Sequence, residues 1–247
     1  MLQPGRVTAD DVRALQRRGT RVLGYLSLGE DDRLRRGDGK GPGGQASWYV
    51  DEHVGAGFAS PGSDEKPDSN PDWNSYYVDP SNRAWQKAIQ TEVRHQIDDL
   101  GMDGVFVDTV LIPTDVFTSP LEDRMRRGMT RLLSSLKRWS RGGYVIVNNG
   151  EEATRGLDGK IDGLMIETSV GDGADRWDDV RLLSARLAPR RRSGFLVTAL
   201  IYLPPSLSPA DACATLKGFS LPAALYRDDA AGRALTTLPL ATCPDRR

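Results

Sequence analysis

The sequence predicts an α/β chain of the TIM-like (β/α)8 barrel class, apparently lacking the first barrel strand. Three observations carry this. Short apolar runs alternate with amphipathic helical stretches along the chain, as repeated strand–loop–helix units do. The runs are nearly continuous rather than alternating, as in strands of a parallel sheet with both faces covered. The length, 247 residues, suits one α/β barrel, although two smaller domains would also fit. A single domain over residues 1–247 is expected, with a long loop insertion at about 31–75.

The chain opens on a helix. Thr8 is a natural N-cap, and Asp11 three residues on makes a variant capping box. This helix runs to about residue 18 and stops at Gly19. A first strand covers residues 21–28 and ends at Gly29-Glu30. The polar insertion that follows is rich in Gly, Asp, Pro and Ser and holds Trp48 and Trp73. Compact domains rarely carry such a loop without a functional reason. A short strand at 76–79 ends on Asp79, and a helix at 82–100 places Trp85, Ile89, Val93 and Ile97 on one face. Gly101 closes it, and the apolar run 104–107 stops at Asp108. A helix at 121–139, apolar at Met125, Met129, Leu132, Leu133 and Leu136, ends at Gly142-Gly143. Strands then follow at 144–147, 161–166, 195–202 and 222–228, with helices at 176–187 and 208–217. This makes seven strands, where a closed barrel needs eight. The missing strand should precede the first helix, or something irregular in residues 1–7 fills its place.

Composition narrows the chemistry. The formal net charge is -1, from 33 basic and 34 acidic residues, so no overall field favours nucleic acid or an anionic membrane. Arg124-Met125-Arg126-Arg127 and Arg190-Arg191-Arg192 read as solvated helix ends. No run approaches the roughly 18 apolar residues of a membrane span, and the first residues lack the apolar core of a secretory signal. Cys213 and Cys243 form no CxxC pattern, so no zinc or redox site is expected, but they can form one disulfide tying down the C-terminal tail. His53 stands in a loop and His95 on a polar helix, which argues against a histidine triad or a histidine metal site. Acid–base chemistry must then come mainly from carboxylates.

The active site of an α/β barrel lies at the C-terminal ends of its strands. Here those ends read Glu30, Asp79, Asp108, Asn148 with Asn149, Glu167, Tyr202, and Arg227 with Asp228. Helix capping explains some of the Asp and Asn. It does not explain Glu30 and Glu167, because Glu is a poor N-cap. Two carboxylates across a cleft suit glycoside hydrolysis, with no metal and no cofactor. Tyr25, Trp48, Trp73, Tyr76, Tyr77 and Tyr202 supply rings for sugar stacking, although each alone reads equally as core. Two other readings stay open: a metal-dependent hydrolase with a hard cation on Asp79, Asp108 and Glu167, and a glycan-binding barrel without turnover. The segment 64–70 is acidic but lacks the turn glycine of a calcium loop and carries Lys66.

Four blocks in order carry a family resemblance. They are Tyr25-Leu26-Ser27-Leu28-Gly29-Glu30; Trp73-Asn74-Ser75-Tyr76-Tyr77-Val78-Asp79 followed by Trp85; Gly101-Met102-Asp103-Gly104-Val105-Phe106-Val107-Asp108-Thr109; and Asn148-Asn149-Gly150. Together they resemble glycoside hydrolase family 114, over about residues 8–228. That family contains the endo-α-1,4-polygalactosaminidases and the hydrolase domain of a bacterial exopolysaccharide-processing protein. The resemblance implies a TIM-like barrel and an endo-acting hydrolase of α-1,4-linked galactosamine-rich polysaccharide, working with retention. The family's catalytic Asp and Glu fall on Asp108 and Glu167. Asp108 is expected as nucleophile and Glu167 as general acid/base, and the reverse order is open. Retention needs the two carboxyl groups roughly 5–5.5 Å apart and inversion roughly 6.5–9.5 Å. As general acid, Glu167 would hold a proton at rest, favoured by a less polar setting and the charge of Asp108. Expected substrate contacts are Tyr25, Glu30, Trp73, Tyr77, Asp79, Asn149 and Tyr202. A deacetylated galactosamine polymer is cationic, and Glu30, Asp79 and Asp115 would attract it. The expected partner is thus a polysaccharide, and the expected location is extracellular or in the cell envelope. The chain departs from the family in the missing first strand and in the long insertion.

Overall fold

The computed structural model describes residues 1–31, 47–50, 68–70, 73, 75–113, 117, 119–173, 175–227 and 241–243. Its contacts divide the chain into two compact units, Met1–Asp162 and Gly163–Arg247. Most of the expected insertion lies outside the described residues, as do Asn74, Asp115, Asp228 and the segment 64–67.

The first unit begins with helix α1 (Ala9–Gln16), closed by the expected capping box. Thr8 Oγ1 accepts from the Asp11 N–H at 3.3 Å, and Asp11 Oδ2 accepts from the Thr8 N–H at 2.8 Å. These bonds hold the Asp11 carboxyl below its ordinary range. Strand β1 (Leu23–Ser27) leads to three short strands, β2 (Glu30–Asp31), β3 (Ser69–Asn70) and β4 (Ser75–Tyr77). Helix α2 (Arg83–Arg94), strand β5 (Gly104–Asp108), helix α3 (Ser119–Trp139) and strand β6 (Tyr144–Asn148) complete the unit. β1 pairs in parallel with β5, from Leu23 opposite Gly104 to Ser27 opposite Asp108, and β5 pairs in parallel with β6. Gly104–Val107 of β5 and Val145–Asn148 of β6 are buried, as their continuous apolar runs require.

Three details bear on the sequence reading. The run at 76–79 is not a strand of the parallel sheet. β4 pairs antiparallel with β2 and β3, and β1 lies directly against β5. A short apolar run marks a strand but carries no information about its partner. The place beside β1 is filled, in line with the alternative of something irregular in residues 1–7. The Leu2 N–H donates to the Leu23 carbonyl at 2.9 Å and the Leu2 carbonyl accepts from the Tyr25 N–H at 2.9 Å, a single parallel bridge to Gly24. Third, the helix begun by α2 continues as a π turn at His95–Asp99. The wider turn rotates the face, so Gln96 is fully buried where Ile97 was expected.

The second unit holds β7 (Gly163–Ser169), α4 (Asp178–Arg192), β8 (Leu196–Leu203), α5 (Pro209–Gly218), β9 (Ala223–Arg227) and β10 (Ala241–Cys243). β7, β8 and β9 run parallel, and β10 adds antiparallel to β9. A disulfide joins Cys213 on α5 to Cys243 on β10. The expected strand at 161–166 starts later and extends to Ser169, so Glu167 lies inside it. The chain thus has an α/β fold of parallel strands alternating with helices. No helix among the described residues is long and apolar enough to cross a membrane.

Candidate active site

In the first unit the polar residues gather at the C-terminal end of β5. Gly104 to Val107 are buried, and the strand emerges at Asp108, which is half-buried. Its Oδ2 accepts from the Tyr25 hydroxyl at 2.8 Å. Its Oδ1 accepts from the Thr109 N–H at 2.8 Å and from Asn148 Nδ2 at 3.1 Å. Adjacent parallel strands bring these together: Tyr25 comes from β1 and Asn148 from the end of β6. All three donors are neutral, and among the described residues no cation pairs with Asp108. Both carboxylate oxygens act as hydrogen-bond acceptors here.

Tyr25 was expected to meet substrate. It is 7% exposed, and its hydroxyl bonds Asp108. Glu30 leads β2 out of the β1 turn, with Oε1 accepting from Asn70 Nδ2 at 3.1 Å and Oε2 accepting from the Ser75 hydroxyl. Asp79 ties down its own loop: Oδ1 accepts from the Ser81 N–H at 2.8 Å and Oδ2 pairs with Arg124 Nε at 2.9 Å. Tyr77 is 2% exposed with its ring edge-on to Phe117, so it presents no face to solvent. Trp73 is the opposite case, at 45% exposed. Asn149 takes a left-handed backbone conformation, φ 52°, which Asn tolerates better than most residues. Asn148, not Asn149, touches Asp108.

In the second unit, Glu167 Oε1 accepts from the Tyr202 hydroxyl at 2.8 Å. Side chains at Glu167 on β7 and Tyr202 on β8 meet across the parallel ladder, two positions off direct register. Tyr202 leans on Tyr226 of β9 at 6.2 Å between ring centres. Burial pushes the Tyr226 phenol up, so it remains a neutral hydroxyl.

Sequence reasoning passed over Thr109, and it chose Asn149 over Asn148. The signal for Asn148 was present, since it ends β6 as Asp108 ends β5. Thr109 carried no signal, because nothing about threonine announces a left-handed backbone. Among the described residues no cluster of three His, Cys, Asp or Glu side chains is arranged for a metal ion.

The profile of glycoside-hydrolase family GH114 matches residues 5–173. No curated protein sequence matches the chain. Among solved structures, the glycoside hydrolase domain of PelA from Pseudomonas aeruginosa is similar with a TM-score of 0.63 at 20% identity, over 94% of this chain and 87% of that one. A Glu-to-Ala variant of the same domain matches equally, at 0.63 and 20%. A cycloisomaltooligosaccharide glucanotransferase from Paenibacillus matches at a TM-score of 0.50 and 14% identity, over 79% of this chain and 28% of that one.

Proposed function

The chain belongs to glycoside-hydrolase family GH114 and is a glycoside hydrolase, and from that premise we propose that it cuts internally in α-1,4-linked galactosamine-rich polysaccharide, with retention. The observation that carries this is Asp108, a carboxylate at a strand end held by three neutral donors and paired, among the described residues, with no cation.

In the proposed reaction Asp108 attacks the anomeric carbon as the bond to the leaving oxygen breaks. Glu167 donates its proton to that oxygen, giving a covalent glycosyl–Asp108 ester and a shortened chain. Glu167 then takes a proton from water, the water oxygen attacks the anomeric carbon, and Asp108 leaves as a carboxylate. Tyr25, Asn148 and the Thr109 N–H keep the Asp108 oxygens oriented, so little reorganisation is needed at the moment of attack. Tyr202 holds Glu167 Oε1. The exposed ring of Trp73 suits sugar stacking, and Glu30 and Asn149 complete the proposed substrate contacts with Tyr202. The acidic character at Glu30 favours a cationic, partly deacetylated polymer. The Asp79 charge is paired with Arg124. The Cys213–Cys243 disulfide suits an oxidising compartment, which supports a place outside the cell or in the cell envelope.

The test is digestion of partly deacetylated poly-α-1,4-galactosamine. Internal cutting with retention predicts an early fall in mean chain length and α-configured new reducing ends by proton NMR. Release of single sugars from an unshortened polymer, or first products in the β configuration, would contradict the reading.

A further inference from the structure

Thr109 follows Asp108 and has φ 56°. A β-branched residue rarely takes this left-handed conformation, so its surroundings must impose it. The side chain shows how. Its Oγ1 accepts from the Leu28 N–H at 3.0 Å and from the Gly29 N–H at 2.9 Å. The same oxygen lies 2.8 Å from the Asp108 carbonyl and 2.8 Å from Ser27 Oγ. A hydroxyl has two acceptor sites and one proton, so the two N–H groups fill its acceptor sites and the proton goes to one of the other two oxygens. Ser27 Oγ in turn donates to the Glu30 carbonyl at 2.6 Å. The Thr109 carbonyl is close as well: a Cβ on Gly29 would stand 2.3 Å from it, so only glycine fits there. Thr109 thereby clamps the end of β5 to the turn that leads from β1 to Glu30.

We propose that Thr109 is a positioning residue for Asp108, which rests on the reading of Asp108 as the reacting carboxylate. The clamp fixes the backbone on the C-terminal side of Asp108. With the Thr109 side chain anchored, the peptide plane between Asp108 and Thr109 is held, and in it the Thr109 N–H donates to Asp108 Oδ1 at 2.8 Å. With that oxygen fixed, Oδ2 meets Tyr25. Without the hydroxyl, the turn at Leu28-Gly29 is held to the β5 end only through the backbone, by the Leu28 N–H donating to the Asp108 carbonyl at 3.1 Å, and the carboxylate gains freedom to rotate. The expected loss is in the reaction step rather than in substrate binding.

The experiment compares full-length wild type, Thr109→Ser and Thr109→Gly. Glycine adopts positive φ without strain, so Thr109→Gly removes the hydroxyl without forcing the backbone to move. On partly deacetylated poly-α-1,4-galactosamine, kcat of Thr109→Gly should fall about 10- to 100-fold with KM within about twofold, and Thr109→Ser should keep kcat within about threefold. A Thr109→Gly enzyme that is folded and has wild-type kcat overturns the proposal, as does a Thr109→Ser enzyme as slow as Thr109→Gly. Crystal structures of wild type and Thr109→Gly give a readout independent of substrate. The Asp108 carboxylate should leave the Tyr25 hydroxyl in Thr109→Gly, and unchanged geometry overturns the proposal. If the wild type does not cut this polymer, the substrate reading falls and the crystal structures alone decide. Asp108→Asn in the same assay separates the two ideas. Full activity there removes the reading of Asp108 and this proposal together. Loss there beside wild-type behaviour of Thr109→Gly removes only the role of Thr109.

Discussion

The two ends of β5 each carry an aspartate, and they are used differently. Asp103, just before the strand, accepts from the Val22 N–H at 2.8 Å and from Gln16 Nε2 at 3.2 Å, with the Arg21 guanidinium at 3.8 Å. Asp162 plays a similar part beside β6, taking Lys137 Nζ at 2.7 Å and the Val145 N–H at 2.8 Å. Both join a backbone N–H of a core strand or its approach to a side chain from elsewhere, and both have a cation to offset their charge. Asp108, at the other end, has Tyr25, Asn148 and a backbone N–H, and among the described residues no cation. An aspartate beside a cation latches structure, whereas one held only by neutral donors is oriented, as the proposed reaction at Asp108 requires. The difference agrees with the general division of α/β barrels between a stabilising face and a reacting face.

This contrast can be broken by substitution. Asp108→Asn should lower kcat/KM by roughly 10³-fold or more while leaving the thermal midpoint nearly unchanged. Tyr25→Phe removes one hydrogen bond to the same carboxylate, and kcat should fall roughly tenfold or somewhat more. A larger rise in KM than fall in kcat would instead mark Tyr25 as a substrate contact. At the other end, Asp103→Ala should reverse the pattern. It should destabilise the fold by about 1–3 kcal/mol in urea unfolding and leave kcat within about twofold. If Asp103→Ala and Asp108→Asn lose activity alike, the two ends are not distinct.

The smallest effect lies in α1, where the Asp11 charge serves capping. Hydrogen bonds from Thr8 depress the Asp11 carboxyl below its ordinary value of 3.8. A depressed carboxyl contributes stability that is fully present above 3.8 and is lost as pH falls through the folded-state value. Thr8→Ala should therefore lower Tm by roughly 2 °C near neutral pH, with the gap from wild type closing under acid conditions. A gap that widens in acid would contradict this assignment.

The sequence made some of this legible and hid the rest for physical reasons. The core strands could be read because a continuous apolar run with a glycine before it has few other uses, and β5 and β6 lie where expected. The face of α2 followed from fourfold spacing through Val93, then failed at Gln96 because a π turn changes the period. β4 was legible as a strand but not as a partner of β2 and β3, since pairing is a long-range choice. At the candidate site, Asp108 stood out as a polar stop on an apolar run. That Tyr25 serves the carboxylate with its hydroxyl, that Tyr77 is core, and that Thr109 holds a left-handed backbone depend on contacts between distant segments.

The most direct test of the central claim is reducing-end release from partly deacetylated poly-α-1,4-galactosamine by wild type, Asp108→Asn and Glu167→Gln, with each variant's fold checked by circular dichroism. The account predicts release by the wild type and its loss, by roughly 10³-fold or more, in both folded variants. Release sustained by either folded variant, or none by the wild type, would contradict it.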